Sequence, residues 1–179
     1  MSDSGNDSAT AHTDGADSGT GNADGEMLSL GGSFNASALN VLDGTAFVSS
    51  VPSQAGGINS NLSVFFSDKT SLCSTGVRRQ NETVLVIGAM SGGPAFQAGT
   101  FTDTQEEAPG QAYVSVTALN GACANQSLGA ASGTVVITSV TSSAVSGTFD
   151  VTLLGDAGTL QGSFNVPLCD QAFSYSCQP

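Results

Sequence analysis

The chain has no tryptophan, a single histidine and only three Lys or Arg residues, and the last two shortages each remove a class of function. Lys69, Arg78 and Arg79 stand against fifteen acids, for a formal net charge of -12. Nucleic-acid backbones are bound by Lys and Arg that neutralise phosphates, so such a field repels duplexes, single strands and anionic membrane surfaces alike. The one histidine, His12, lies in a polar N-terminal stretch, leaving the rest of the chain without the imidazole of a Ser-His-Asp or Cys-His arrangement. No apolar run approaches the roughly eighteen residues that a spanning helix needs. Helix formers are scarce too. Val, Ala, Leu, Gly, Ser and Thr dominate, which is the vocabulary of strands and turns.

Cysteine is sparse but even in number. Cys73, Cys123, Cys169 and Cys177 form no C-x-x-C pair and have no histidine beside them to complete a zinc set, so neither a metal nor any other cofactor is expected. Four cysteines in a chain of this composition predict two disulfides and an oxidising compartment. Three connectivities are possible. The expectation is Cys73 with Cys123 and Cys169 with Cys177, the first closing a loop of about fifty residues at a worth of about 4 kcal/mol in the chain-entropy description, the second pinning the C-terminus.

Against these absences stand three near copies of one heptapeptide: Leu30 to Ala36 (LGGSFNA), Val145 to Val151 (VSGTFDV) and Leu160 to Val166 (LQGSFNV). Each reads apolar, polar, Gly, Ser or Thr, Phe, Asp or Asn, apolar, a period of two that gathers the apolar residues on one face of a strand. The repeat describes a half-buried sheet and carries no chemistry. Eight strands are predicted, over 27–37, 45–51, 61–67, 83–90, 113–119, 133–140, 145–154 and 159–168. The segment TVLVIGAM (83–90) is apolar on both faces and suits a strand covered on both sides. The Gly and Pro pairs at Gly56-Gly57, Gly92-Gly93-Pro94 and Pro109-Gly110 are turns. They lack the lysine and the strand-to-helix setting of a phosphate loop.

The last two strands define a hairpin. Odd positions are apolar in the first and even positions in the second, so partner numbers sum to an odd value. A sum of 313 sets the turn at Asp156-Ala157 and places Phe149 opposite Phe164, Val151 opposite Gly162 and Gly147 opposite Val166. Glycines then face large neighbours, and a slip by one residue would turn one apolar set to water. The fold expected is an all-β, antiparallel β-sandwich of about eight strands, with a closed β-barrel as the alternative.

Residues 1–26 contain six acids, no base and almost no apolar surface, so they read as a disordered acidic linker ahead of a single domain at 27–179. A calcium loop around Asp14, Asp17, Asn22 and Asp24 fails the EF-hand spacing, since alignment on Gly25 places Thr20 first and Gly31 twelfth. The linker has no basic start and no apolar stretch, which suggests a mature chain whose export signal has been removed. Glycosylation triplets at Asn6, Asn35, Asn61, Asn81 and Asn125 are expected by chance in so Asn/Ser/Thr-rich a chain and are given no role.

The run Val64 to Cys73 (VFFSDKTSLC), the Ala98 to Phe101 segment, Cys123, and the stretch from Gly133 to Cys169 together resemble secreted lipoproteins of myxobacterial type, over roughly residues 60–169. The resemblance implies an exported β-domain at the cell surface, with a lipid anchor in the precursor. It brings no activity, ligand or catalytic residue.

Two classes of function follow. The first is a non-enzymatic, surface-displayed or secreted module that binds a protein or glycan partner, or forms part of an envelope assembly. All three bases fall within Lys69 to Arg79, so Lys69, Arg78 and Arg79 are the candidate binding residues for an anionic partner. The second class is a carboxylate-dependent, carbohydrate-active domain. Asp103, Glu106 and Glu107 lie close in sequence, and glycosidases use two acids about 5 to 9 Å apart. Three acids on a loop bounded by Pro and Gly are more often a solvated face, which favours the first class.

Overall fold

A computed structural model describes residues 28–32, 41–54, 56–75, 77–104, 108–156, 158–170 and 174–178. The acidic linker, His12 and the acids of the rejected calcium loop lie outside these residues, as do Phe34 and Ala36 of the first heptapeptide. In chain order the described elements are β1 (Leu28–Gly32), β2 (Asp43–Pro52), β3 (Ile58–Ser67), α1 (Leu72–Thr75), β4 (Val77–Arg79), β5 (Thr83–Gly92), β6 (Gly99–Asp103), β7 (Gln111–Leu119), β8 (Asn125–Val140), β9 (Ala144–Leu153), β10 (Thr159–Pro167) and β11 (Ser174–Gln178). Every predicted strand has its counterpart. Three short ones, β4, β6 and β11, are additions that carry too few alternating residues to announce themselves.

Nine of the strands form one sheet in the order β1-β10-β9-β8-β6-β7-β5-β3-β2, and β4 pairs with β11 separately. The sheet is mixed rather than purely antiparallel. β8 is long enough to pair with β7 over its first residues, Asn125 to Gly129, and with β6 further on, from Gly133 to Ile137; β6 wedges in between and meets β7 in parallel at Thr102 and Asp103. The sheet also curls. The backbone of Cys169, just beyond β10, donates to the Ala46 carbonyl of β2 at 2.8 Å, and Ala46 bridges Leu168, so strands distant in sheet order meet.

The curl encloses the core. Leu62, Val64 and Phe66 of β3 face Leu85, Ile87 and Ala89 of β5, Val135 and Ile137 of β8, Phe149 and Val151 of β9, and Phe164 and Val166 of β10 in one cluster. Phe66 and Phe164 meet edge to face at 5.6 Å between centroids. A second cluster covers the other side of β5, where Val84 and Val86 pack with Phe47, Phe65, Leu72 and Cys169. The apolar character of both faces of β5 is thereby accounted for, each fully buried side chain adding roughly 1.5–3 kcal/mol of transfer free energy.

Two expectations are corrected. The β9–β10 register sums to 311, not 313, so Phe149 lies opposite Gly162, Gly147 opposite Phe164 and Val151 opposite Leu160. Both sums keep the apolar sets on one face, and alternation alone does not separate registers two residues apart. The turn decides. Leu154 to Asp156 form a 3₁₀ turn with Gly155 at φ 67, and the Leu153 amide closes the loop on the Gly158 carbonyl at 2.9 Å. The pairing of glycines with bulky neighbours survives with different partners: a Cβ on Gly147 would stand 2.7 Å from Phe164 Cζ.

The disulfides are Cys73–Cys169 and Cys123–Cys177, in place of the expected Cys73–Cys123 and Cys169–Cys177. Cys169 is delivered to β2 by the curl. Cys73 reaches the same place because Asp43 Oδ2 of β2 accepts from the Leu72 amide at 2.9 Å and so seats α1 there. β11, in turn, runs to β4 and meets the β7–β8 turn that carries Cys123. Connectivity follows which sheet ends meet, which proximity along the chain does not encode.

Candidate functional site

The three bases lie on two short segments, the exit of β3 and the strand β4, separated by α1. Their backbones are tied together through one acid. Glu82 is fully buried at the entry of β5; its Oε1 accepts from Ser67 Oγ at 2.5 Å and its Oε2 from the Arg79 amide at 2.7 Å. Ser67 Oγ in turn accepts from the Lys69 amide at 3.0 Å. The chain Lys69, Ser67, Glu82, Arg79 therefore fixes both cation-bearing segments on one carboxyl group, a charge-assisted arrangement of the stronger kind. Asp68 reinforces it, since its Oδ1 accepts from the Thr83 amide at 3.0 Å while its own amide donates to the Thr83 carbonyl at 3.2 Å.

The three cationic side chains differ in exposure. Lys69 and Arg79 are half-buried, whereas Arg78 is only 7% exposed. β4 alternates, and its middle residue points inward while its neighbours face outward. The sequence-level grouping thus resolves into two cations within reach of solvent and one beneath.

The rest of this pole is also cross-linked. The Leu119 amide donates to the Glu82 carbonyl at 2.8 Å, the Asn81 amide to Asn120 at 3.4 Å, and the Gln80 amide to Gln178 at 3.1 Å. Asn120 Oδ1 accepts from the amides of Ala122 and Ala124, both at 2.9 Å, which shapes the turn that presents Cys123. Both disulfides, all three bases and Glu82 consequently gather at one end of the sheet.

Comparison of the chain with family models, curated proteins and solved structures finds no match. Half-exposed basic residues whose backbones are anchored on one carboxyl group can receive a carboxylate, sulfate or phosphate group through charge-assisted hydrogen bonds. Ser67 is fully buried, and its hydroxyl is occupied by Glu82 and Lys69.

Of the acids singled out for the carbohydrate-active reading, Asp103 alone is among the described residues. Asp103 is 3% exposed on β6, on the same face as the buried Phe101, and Glu106 and Glu107 lie outside the described residues. Phe96, in the Gly/Pro-rich loop after β5, turns inward and stacks on Phe101 at 5.4 Å. Sequence reading missed Glu82, the organising residue of the cationic pole. The one signal is its position, an acid immediately before a strand that is apolar on both faces, where a carboxyl group must find donors or raise the cost of burial.

Proposed function

We propose that this chain is a non-enzymatic, exported module, displayed at a cell surface or secreted as a lipoprotein domain, that acts by receiving an anionic group of a protein or glycan partner at Lys69 and Arg79. The observation that carries the reading is the Glu82 network, which ties the backbone amides of these two half-exposed basic residues to one buried carboxyl group on a body that otherwise bears nine acids. An anionic partner has no other positive ground on that body. The two disulfides support an oxidising location for the folded chain. The β-sandwich reading of the body, with a closed barrel as its alternative, belongs to the same proposal; the meeting of Phe66 with Phe164, from strands far apart in sheet order, supports two opposed layers.

The test is a double reversal, Lys69→Glu with Arg79→Glu, read against immobilised sulfated glycans and acidic peptides. Arg78 is left alone because reversing a charge at a buried position attacks the fold instead of the site. Wild-type binding is expected to weaken as ionic strength rises to about 0.15 M, and the double variant is expected to lose it while keeping its thermal midpoint. Binding that ignores both the reversal and the salt overturns the cationic site. It would move the contact to the uncharged β2 edge from Val48 to Pro52, where Val48 is 40% exposed.

A further inference from the structure

Asn-Gly occurs once in the chain, at Asn120-Gly121, in the turn between β7 and β8. Both residues are exposed. Asn120 Oδ1 accepts from the amides of Ala122 and Ala124, both at 2.9 Å. A backbone N–H needs an acceptor, so the atom that the two amides meet is the side-chain oxygen and not the nitrogen. Among the described residues nothing bonds to Asn120 Nδ2 or to the Gly121 amide. The main chain of Asn120 is held as well, its amide donating to the Ala124 carbonyl at 3.1 Å and its carbonyl accepting from Cys123 at 2.9 Å and from Asn81 at 3.4 Å.

These contacts bear on one reaction. An asparagine followed by glycine is open to attack by the next main-chain nitrogen, because no Cβ on that residue crowds the approach. The tetrahedral adduct carries its negative charge on the former Oδ1. Two N–H donors already stand there, within the roughly 2.7–3.1 Å at which preorganised donors stabilise an oxyanion. The unbonded Gly121 amide is free to give its proton to hydroxide, and the unbonded Nδ2 is free to take one from water.

We infer that Asn120-Gly121 is a self-modifying site, at which the chain deamidates without an enzyme and places a new carboxylate at the pole that holds the bases. The deprotonated Gly121 nitrogen attacks Asn120 Cγ, a C–N bond forms, and the carbonyl electron pair moves to Oδ1. Collapse expels Nδ2, protonated by water, as ammonia and closes a succinimide ring. Water then adds either to Cγ, giving aspartate, or to the main-chain carbonyl carbon of Asn120, giving isoaspartate; the ring C–N bond breaks and its nitrogen regains a proton. The net change is amide plus water to carboxylate plus ammonium, with nothing oxidised or reduced. The added charge faces Asn81, two positions after Arg79, and the isoaspartate product reroutes the main chain through Cγ in the turn that carries Cys123. The modification is read on the chain itself and does not depend on a partner.

The experiment ages the folded, disulfide-intact full chain in buffers of rising pH and maps its peptides by mass spectrometry, with isoaspartate counted by enzymatic methyl transfer. Asn120 is expected to convert before every other asparagine, to both products, at a rate that rises with pH and is at least that of the chain denatured in guanidinium. Gly121→Ala should slow conversion roughly tenfold or more. The variant is compatible with the turn, since the added Cβ would lie 3.6 Å from Asn81 Oδ1 in ordinary contact and Gly121 is not at positive φ. Should it nevertheless not fold, the comparison of folded with denatured wild-type chain decides alone. Earlier conversion of another asparagine, a rate indifferent to pH, slower conversion in the folded chain than in the denatured one, or a folded Gly121→Ala that converts at the wild-type rate would each overturn the inference.

Discussion

At the scale of single residues, the inner face of the terminal hairpin is governed by how closely an aromatic ring approaches bare backbone. Phe164 lies over Gly147, where an added Cβ would meet the Val136 carbonyl at 2.5 Å as well as the ring. The carbonyl belongs to a paired strand and cannot retreat without breaking the β8–β9 ladder. Gly147→Ala is therefore expected to destabilise by about 1–3 kcal/mol through overpacking, and Phe164→Ala by about 3–5 kcal/mol through loss of a buried ring. Urea denaturation measures both, and a loss below about 1 kcal/mol for each would place this face in solvent. Burial of Phe149 and Phe164 was legible in the alternation, since both are 3% exposed. Their partners were not, because a glycine across the ladder accommodates either candidate ring.

At the scale of elements, a strand's face and a strand's register are settled by different things. The alternating burial of β9 and β10 matches their apolar pattern residue for residue, whereas the pairing sum of 311 is set by a loop whose Gly155 adopts positive φ. Ser146 Oγ accordingly donates to Asn165 Oδ1 at 3.0 Å. Cysteines introduced at Ser146 and Asn165 should form a new disulfide detectable by peptide mapping, and cysteines at Thr148 and Asn165, partners only under the sum of 313, should not. The reverse outcome would restore the wider register. β4 and β11 belong to the same lesson. Neither carries enough alternation to be read from sequence, and each forms because the other is brought beside it.

At the scale of the whole molecule, the curl of one mixed sheet brings β2 against the end of β10 and gathers the cysteines and the bases at one pole. The disulfides are expected to map as Cys73 with Cys169 and Cys123 with Cys177, with no thiol titratable in the denatured, unreduced protein. Removing the first, which spans a separation of 96 residues, should lower stability by about 4–5 kcal/mol if loop-closure entropy dominates. Peptides joined as Cys73–Cys123 would instead mean that α1 does not sit on β2. Strand content, the inner faces of β3, β9 and β10, the double burial of β5 and the sign of the surface field were legible along the chain, because these depend on local periodicity and on composition. Only the tertiary structure decided the hairpin register, the cysteine partners, the inward turn of Arg78 and the role of Glu82. Each of these depends on which distant segments meet, and that is set by the curl of the sheet and the geometry of its turns, neither of which leaves a periodic trace along the chain.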